Sequence, residues 1–224
     1  MRHVTFPTLR FLALLVPAGV ALHGQGAPPP IENDQVRVVY ANDQPHHKGS
    51  LHEHKVNRVM VYLTAGRQEI TPQAGAKQVL DVKAGEVRWS PAGGMHVSEV
   101  TSDTALKIVE VEIKKPGDPA KAIKSDLDPL KVDPQDYKLE FENAQVRVLR
   151  VKFPPHHAIP FHEHTLNRVV VYITDQNSKM TAADGKAETA QHKAGEASWG
   201  APTRHKEENL SDKPFEAVVV ELKS

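Results

Sequence analysis

Apolar residues come along this chain in short alternating runs rather than at helical spacing. Val36-Arg-Val-Val-Tyr40, Val56 to Leu63 and Leu106 to Ile113 are rich in β-branched residues and are bounded by Gly, Pro, Asn and Asp. Such runs read as strands. Lys83-Ala-Gly-Glu86 and Pro91-Ala-Gly-Gly94 mark tight turns between them. No run carries the i, i+3, i+4 periodicity of an amphipathic helix. Several short strands at regular spacing predict an all-β fold, a sandwich or a barrel.

The pattern is written twice. Ile31-Glu-Asn-Asp-Gln-Val-Arg-Val38 returns as Phe141-Glu-Asn-Ala-Gln-Val-Arg-Val148, an offset of 110 residues. At the same offset Leu51-His-Glu-His54 returns as Phe161-His-Glu-His164, Lys83-Ala-Gly-Glu86 as Lys193-Ala-Gly-Glu196, and Trp89 as Trp199. Aligning 31–90 with 141–200 gives 25 identities in 60 positions, too many for chance. One residue is then lost, and His96 pairs with His205 and Glu99 with Glu208 at an offset of 109. Repeats of this kind predict two homologous domains, 31–114 and 136–224, joined by a linker over 115–135 rich in Pro, Lys and Asp with one short helical turn. Each unit is small, so packing the two together would stabilise both.

The first residues follow a different grammar. Arg2 and Arg10 precede an apolar run from Phe11 to Leu22, and small residues follow at Gly24, Gly26 and Ala27. This is the order of a secretory signal peptide, 1–26, with cleavage expected after Gly26. The run is shorter than the roughly 20 residues a membrane span needs, so no stable membrane insertion is expected after cleavage. The mature protein is expected to be periplasmic or secreted. Lys plus Arg number 28 against 28 Asp plus Glu, a balance that argues against a nucleic-acid partner. There is no cysteine, which excludes disulfides, iron–sulfur clusters and thiol nucleophiles. No phosphate-binding Gly-rich loop, Ser-centred nucleophile elbow or zinc-protease helix motif is found.

Histidine is the anomaly. Of 13, ten fall in matched positions: His46, His47, His52, His54 and His96 against His156, His157, His162, His164 and His205. In a strand, residues two apart share a face about 6.6–6.8 Å apart. The imidazoles of His52 and His54 can therefore converge on one ion, with His96 as the natural third ligand beyond the Pro91-Ala-Gly93 turn. Neutral imidazole suits Zn, Fe, Ni and Cu, and beside a carboxylate also Mn. A polar pocket without metal is the alternative. His46 and His47 are expected on a solvated loop, Trp89 and Trp199 in the core, Glu53 and Glu163 facing away from the site. Repeated Glu32-Asn33 and Arg37 are expected to fix the first strand and the contact between units.

His52-x-His54 before an apolar strand resembles the first motif of the cupins. Gly85-x5-Pro91-x-Gly93-x2-His96 matches the core of their second motif. The resemblance spans both halves and implies a bicupin: two tandem small β-barrels of the double-stranded β-helix or jelly-roll type, each holding a divalent transition metal (Fe, Zn, Ni or Mn). The implied ligands are His52, His54 and His96, and His162, His164 and His205. Cupins commonly add a Glu six residues after the first histidine. Here that position is Arg58, and in the second unit Arg168. The second unit also has the shorter turn Gly200-Ala-Pro-Thr-Arg-His205 but keeps the motif's terminal Asn as Asn209, where the first has Val100. By these departures the first unit keeps its motif better.

Counting by two from His52 places Arg58, Met60 and Tyr62 on the histidine face. Three neutral histidines leave an ion's charge unneutralised, and Arg adds another positive charge. Such a pocket favours a small anion, which Arg can grip with two parallel bonds. Some cupin-like dioxygenases are similar in placing Fe(II) on three histidines before an acidic substrate. The sharpest reading is an exported metal-dependent enzyme, an oxygenase among the candidates, acting on a small carboxylate, with Arg58, Arg168, Tyr62 and Tyr172 as its catalytic candidates. Two alternatives stand beside it. Arg can replace the metal, leaving a non-catalytic module for an anion or sugar acid. Or Arg pairs with an inward acid such as Glu99 or Glu208, leaving a degenerate structural barrel. A homodimer is a candidate assembly.

Overall fold

The computed structural model describes residues 30–224; the predicted signal segment lies outside them. The chain folds into two successive β-barrels. The first uses β1 (Val36–Asp43), β2 (His52–His54), β3 (Asn57–Tyr62), β4 (Gly66–Pro72), β5 (Gln78–Val82), β6 (Val87–Ser90), β7 (Gly93–Val100) and β8 (Leu106–Ile113). They form two antiparallel four-stranded sheets in the orders β1-β8-β3-β6 and β2-β7-β4-β5. The second repeats the plan with β10 (Val146–Phe153), β11 (Ala158–His164), β12 (Arg168–Tyr172), β13 (Gln176–Ala182), β14 (Ala187–His192), β15 (Ala197–Gly200), β16 (Thr203–Asn209) and β17 (Phe215–Leu222). It adds β9 (Tyr137–Glu142) at the edge of the sheet β15-β12-β17-β10-β9.

Alternation along the strands decides where the core lies. Val59, Val61, Val109 and Val111 face outward from the first barrel and pack against Val169, Val171, Val218 and Val220 of the second. The most extensive apolar cluster is thus the seam between the barrels. Each barrel interior is smaller: Met60, Tyr62, Leu106 and Ile108 in one, Leu149, Phe153, Tyr172 and Phe215 in the other. The seam has approximate two-fold symmetry in its hydrogen bonds. Asn57 Nδ2 donates to Gln145 Oε1 at 2.5 Å, and Asn167 Nδ2 to Gln35 Oε1 at 2.6 Å. That is the physical use of two repeated residue pairs. Asn33 and Asn143 each accept two backbone N–H bonds at the start of β1 and β10. Arg37 does not join the seam; it pairs with Glu112 on β8.

The repeated Lys-Ala-Gly-Glu segments are turns in which Gly85 (φ +79°) and Gly195 (φ +90°) take the left-handed conformation, which glycine adopts without strain. His46 (φ 57°) and His156 (φ 56°) also occupy it, and each binds an exposed aspartate, Asp103 or Asp212. That repeat serves the loop. The segment between the barrels carries a 3-10 turn, Pro119–Lys121, and one helical turn, α1 (Pro129–Val132), capped by Asp128. Its later part is tied to the second barrel: Asp128 pairs with Arg147 at 2.5 Å, and Glu163 N donates to Leu127 O at 2.8 Å.

Candidate metal centres

In the first barrel His52 on β2 lies opposite His96 on β7, and His54 opposite Gly93. The shift in register between them brings all three rings together, with centroids 4.5–5.3 Å apart. His162, His164 and His205 repeat the arrangement at 4.4–5.6 Å. In each triad the three donor nitrogens lie within 4.8 Å of one another, close enough for one ion after small ring rotations. Their tautomers suit ligation. His52, His96 and His162 donate Nδ1–H to the carbonyls of Ser50, Gly94 and Pro160 at 2.8–3.0 Å. His164 donates Nδ1–H to Glu221 Oε1 at 2.7 Å. A ring whose Nδ1–H is engaged turns an Nε2 lone pair toward the site. The shorter turn before His205 leaves its Nδ1 buried without a partner. Both triads fit a divalent transition metal.

The two surroundings differ. The first triad is half-buried and opens into a cavity of about 370 Å³; the second is buried and borders one of about 380 Å³. Arg58 points into the first cavity, yet its guanidinium is engaged. Nη1 donates to Glu110 Oε2 at 2.7 Å and to His54 Nε2 at 2.9 Å, and Nη2 donates to Ser90 Oγ at 2.9 Å. An ion at this triad therefore competes with Arg58 for the His54 lone pair. Arg168 is equally buried but meets no carboxylate: Nη1 donates to the Ala201 carbonyl at 2.6 Å. Burial lowers its pKa, although a guanidinium keeps its charge at any working pH. The interior thus holds a cation with no carboxylate in direct contact beside three neutral imidazoles, with Glu221 and Glu207 acting on it at longer range.

The inward acids are not those expected. Glu99 pairs with Lys48 on the outside. Glu110 on β8 meets Arg58 in the first barrel, and Glu207 on β16 lines the second cavity. Alternation gives the reason, since Glu207 shares parity with His205 and Glu208 does not. The carboxyls have exchanged positions between repeats: Ser98 matches Glu207, and Val219 matches Glu110. Burial holds both above the usual carboxylate range, outweighing the pull of Arg58 on Glu110. Glu207 accepts from Gln176 Nε2 at 2.5 Å.

Tyr62 lies in the first cavity, its pKa raised by burial. Tyr172 lies in the second, with its hydroxyl 2.7 Å from Ser198 Oγ and its pKa pushed up to about 12, chiefly by burial. Unmatched His192 stacks on the Tyr172 ring at 4.0 Å. Tyr137, at the start of β9 and ahead of the aligned repeat, donates its hydroxyl to His162 Nε2 at 3.2 Å, so an ion at this triad competes with it for that lone pair, and burial keeps it neutral. Trp89 packs against the seam and Phe141. Trp199, on β15, is 36% exposed, and the expected core role fails there.

The second triad makes a pH prediction. Burial, reinforced by neighbouring positive groups, lowers His162, holds His164 well below its ordinary value and takes His205 to about 2. A histidine in the unfolded chain titrates near 6.5. Above that pH neither state is protonated. Below it the unfolded chain takes up protons that the native triad refuses, so metal-free stability falls with pH, by about 1.4 kcal/mol per unit per histidine. Glu207, with its raised pKa, works in the opposite sense. Urea midpoints of metal-free protein are expected to fall from pH 7 to pH 5, and His205→Gln to flatten the fall. An unchanged slope in that variant would contradict the assignment.

No family model matches the chain, and no curated protein matches it. Solved structures do resemble it. AerE from Microcystis aeruginosa superposes with a TM-score of 0.63 at 13% identity, over 88% of this chain and 97% of its own. Oxalate decarboxylase from Bacillus subtilis, whose Mn(II) centres have been characterised, superposes with a TM-score of 0.59 at 15% identity, over 84% of this chain and 69% of its own. The protein shares this two-barrel cupin fold. Within that fold it carries one histidine triad per barrel able to hold a divalent metal, and an arginine at the sixth position after the first histidine of each.

Proposed function

We propose that the protein is an exported metal-dependent enzyme, periplasmic or secreted, that converts a small carboxylate in its second barrel. Domains 31–114 and 136–224 each contribute a barrel, and the second is the catalytic one. The observation that carries this reading is Arg168, a buried guanidinium that no carboxylate contacts directly, beside a buried triad at a cavity of about 380 Å³. That volume suits a small acid. An oxalate decarboxylase with Mn(II) centres shares the fold, which supports a small carboxylate as substrate class.

His162, His164 and His205 would hold the ion. Bound there, it supplies Lewis acidity and, as Fe(II), a centre for oxygen chemistry. Arg168 binds the substrate carboxylate through its free N–H groups and orients the rest of the molecule. Tyr137, whose hydroxyl is released when an ion takes the His162 Nε2 lone pair, is left as a donor at the same pole of the triad, and Tyr172 holds one edge of the cavity as a neutral donor. Glu207, whose pKa burial raises, can give or take a proton within the dry interior. In the first barrel Glu110 already neutralises Arg58, a specific observation favouring a binding or structural role there.

The test is elemental analysis of protein purified from its own host's envelope fraction, followed by oxygen-uptake and product screens with small mono- and dicarboxylates. Bound transition metal that is lost in His205→Gln, together with turnover of a small acid, is the expected result. A chain that carries no metal and takes none up would overturn the enzyme reading and leave an anion-binding module.

A further inference from the structure

A third group of metal-ligating side chains lies outside both triads. Asp133 caps the C-terminus of α1, Asp136 immediately precedes β9, and His157 follows the turn before β11. Each presents one donor atom within 4.8 Å of the other two. Asp133 is more than nine-tenths buried, and its Oδ2 is wholly enclosed without a hydrogen-bond partner; so is Oδ2 of Asp136. His157 Nε2 stands 2.8 Å from Asp136 Oδ2 but off the line of a hydrogen bond. Among the described residues no Lys or Arg pairs with either carboxylate. Two enclosed carboxylates facing one imidazole are costly without a cation to share.

We infer that Asp133, Asp136 and His157 form a third divalent-metal site, with two carboxylate oxygens and one imidazole nitrogen as ligands. The donor set suits Zn²⁺ or Mn²⁺, with water completing the shell; a hard all-oxygen cation such as Ca²⁺ is disfavoured by the imidazole. The ion would tie the segment between the barrels to the loop before β11. Asp136 adjoins Tyr137, so it would also fix the start of β9 and the tyrosine that meets His162.

The experiment is calorimetric titration of the full metal-free chain with Zn²⁺, alongside its effect on melting temperature. His157→Ala and Asp133→Asn are each expected to bind one equivalent fewer than wild type and to lose part of the Zn²⁺-dependent rise in melting temperature. His205→Gln should lose a different equivalent, so a failure of the triads is read separately. If Asp133→Asn does not fold, His157→Ala decides alone, since His157 is a half-exposed residue at the end of a loop. Unchanged stoichiometry in His157→Ala would overturn the site.

Discussion

Arg168→Met is expected to weaken binding of a small carboxylate to the second barrel by roughly 100-fold or more, with oxalate as the probe in calorimetric titration of metal-loaded protein. A buried charge that meets its counterion in a dry cavity contributes about 2–5 kcal/mol to binding. Arg168 is 6% exposed, has no carboxylate partner and spends one N–H on the Ala201 carbonyl. Methionine keeps the volume and removes the fork. Arg168→Lys should restore part of the affinity, because a point charge remains without the paired geometry. Arg58→Met should behave differently. Arg58 already holds Glu110 at 2.7 Å, so its loss strands a buried carboxylate and costs about 3–5 kcal/mol of stability, while oxalate binding changes little. Equal effects of the two substitutions on oxalate affinity, or none from either, would remove Arg168 from the binding site.

The repeat and the alternation made the fold legible. Identities between 31–90 and 141–200 defined the unit, and counting by two from His52 put Arg58, Met60 and Tyr62 on the face that the structure turns inward. The triads were legible for the same reason, since two histidines on one strand need only one turn to supply the third. What stayed hidden depends on partners far along the chain. Nothing local shows that Val59 and Val61 pack against a second barrel rather than into their own. Arg58 could be placed, but its partner Glu110 lies five strands later. Parity counted from His205 favours Glu207 over Glu208, a signal that the sequence does contain. Tyr137 gave no signal, because it precedes the aligned repeat, which begins at 141. Motif completeness and burial point to different barrels: the first keeps its turn better, while the second buries its triad and leaves its arginine without a direct carboxylate contact.

Glu221→Gln is expected to be the most damaging single substitution near either centre, while the same change at its repeat partner Glu112 should be nearly silent. Glu221 is 1% exposed and accepts from Arg147 Nε at 2.6 Å and from His164 Nδ1 at 2.7 Å. Arg147 donates a further bond to buried Asp128 at 2.5 Å. An amide in place of the carboxylate must turn its NH₂ against one of two donors, and it removes half of the charge that balances Arg147. Breaking a buried network of this kind costs about 3–5 kcal/mol, a fall of roughly 6–20 °C in melting temperature for a chain of this size. It also frees His164 from the bond that fixes its tautomer, so metal affinity at the second triad should drop about 10–100-fold. Glu112 spends both oxygens on Arg37, at 2.7 and 3.1 Å, and that arginine is half exposed. His54 takes its bond from Arg58 instead. Glu112 is 12% exposed, but its partner is open to solvent, so removing the pair costs about 1 kcal/mol, and no hydrogen bond of the first triad is lost. Thermal melts and Zn²⁺ titrations of the two variants measure both contrasts. Similar losses at Glu112 and Glu221 would mean that the histidines of the two barrels are held alike, and that the second barrel owes no special order to its buried carboxylate.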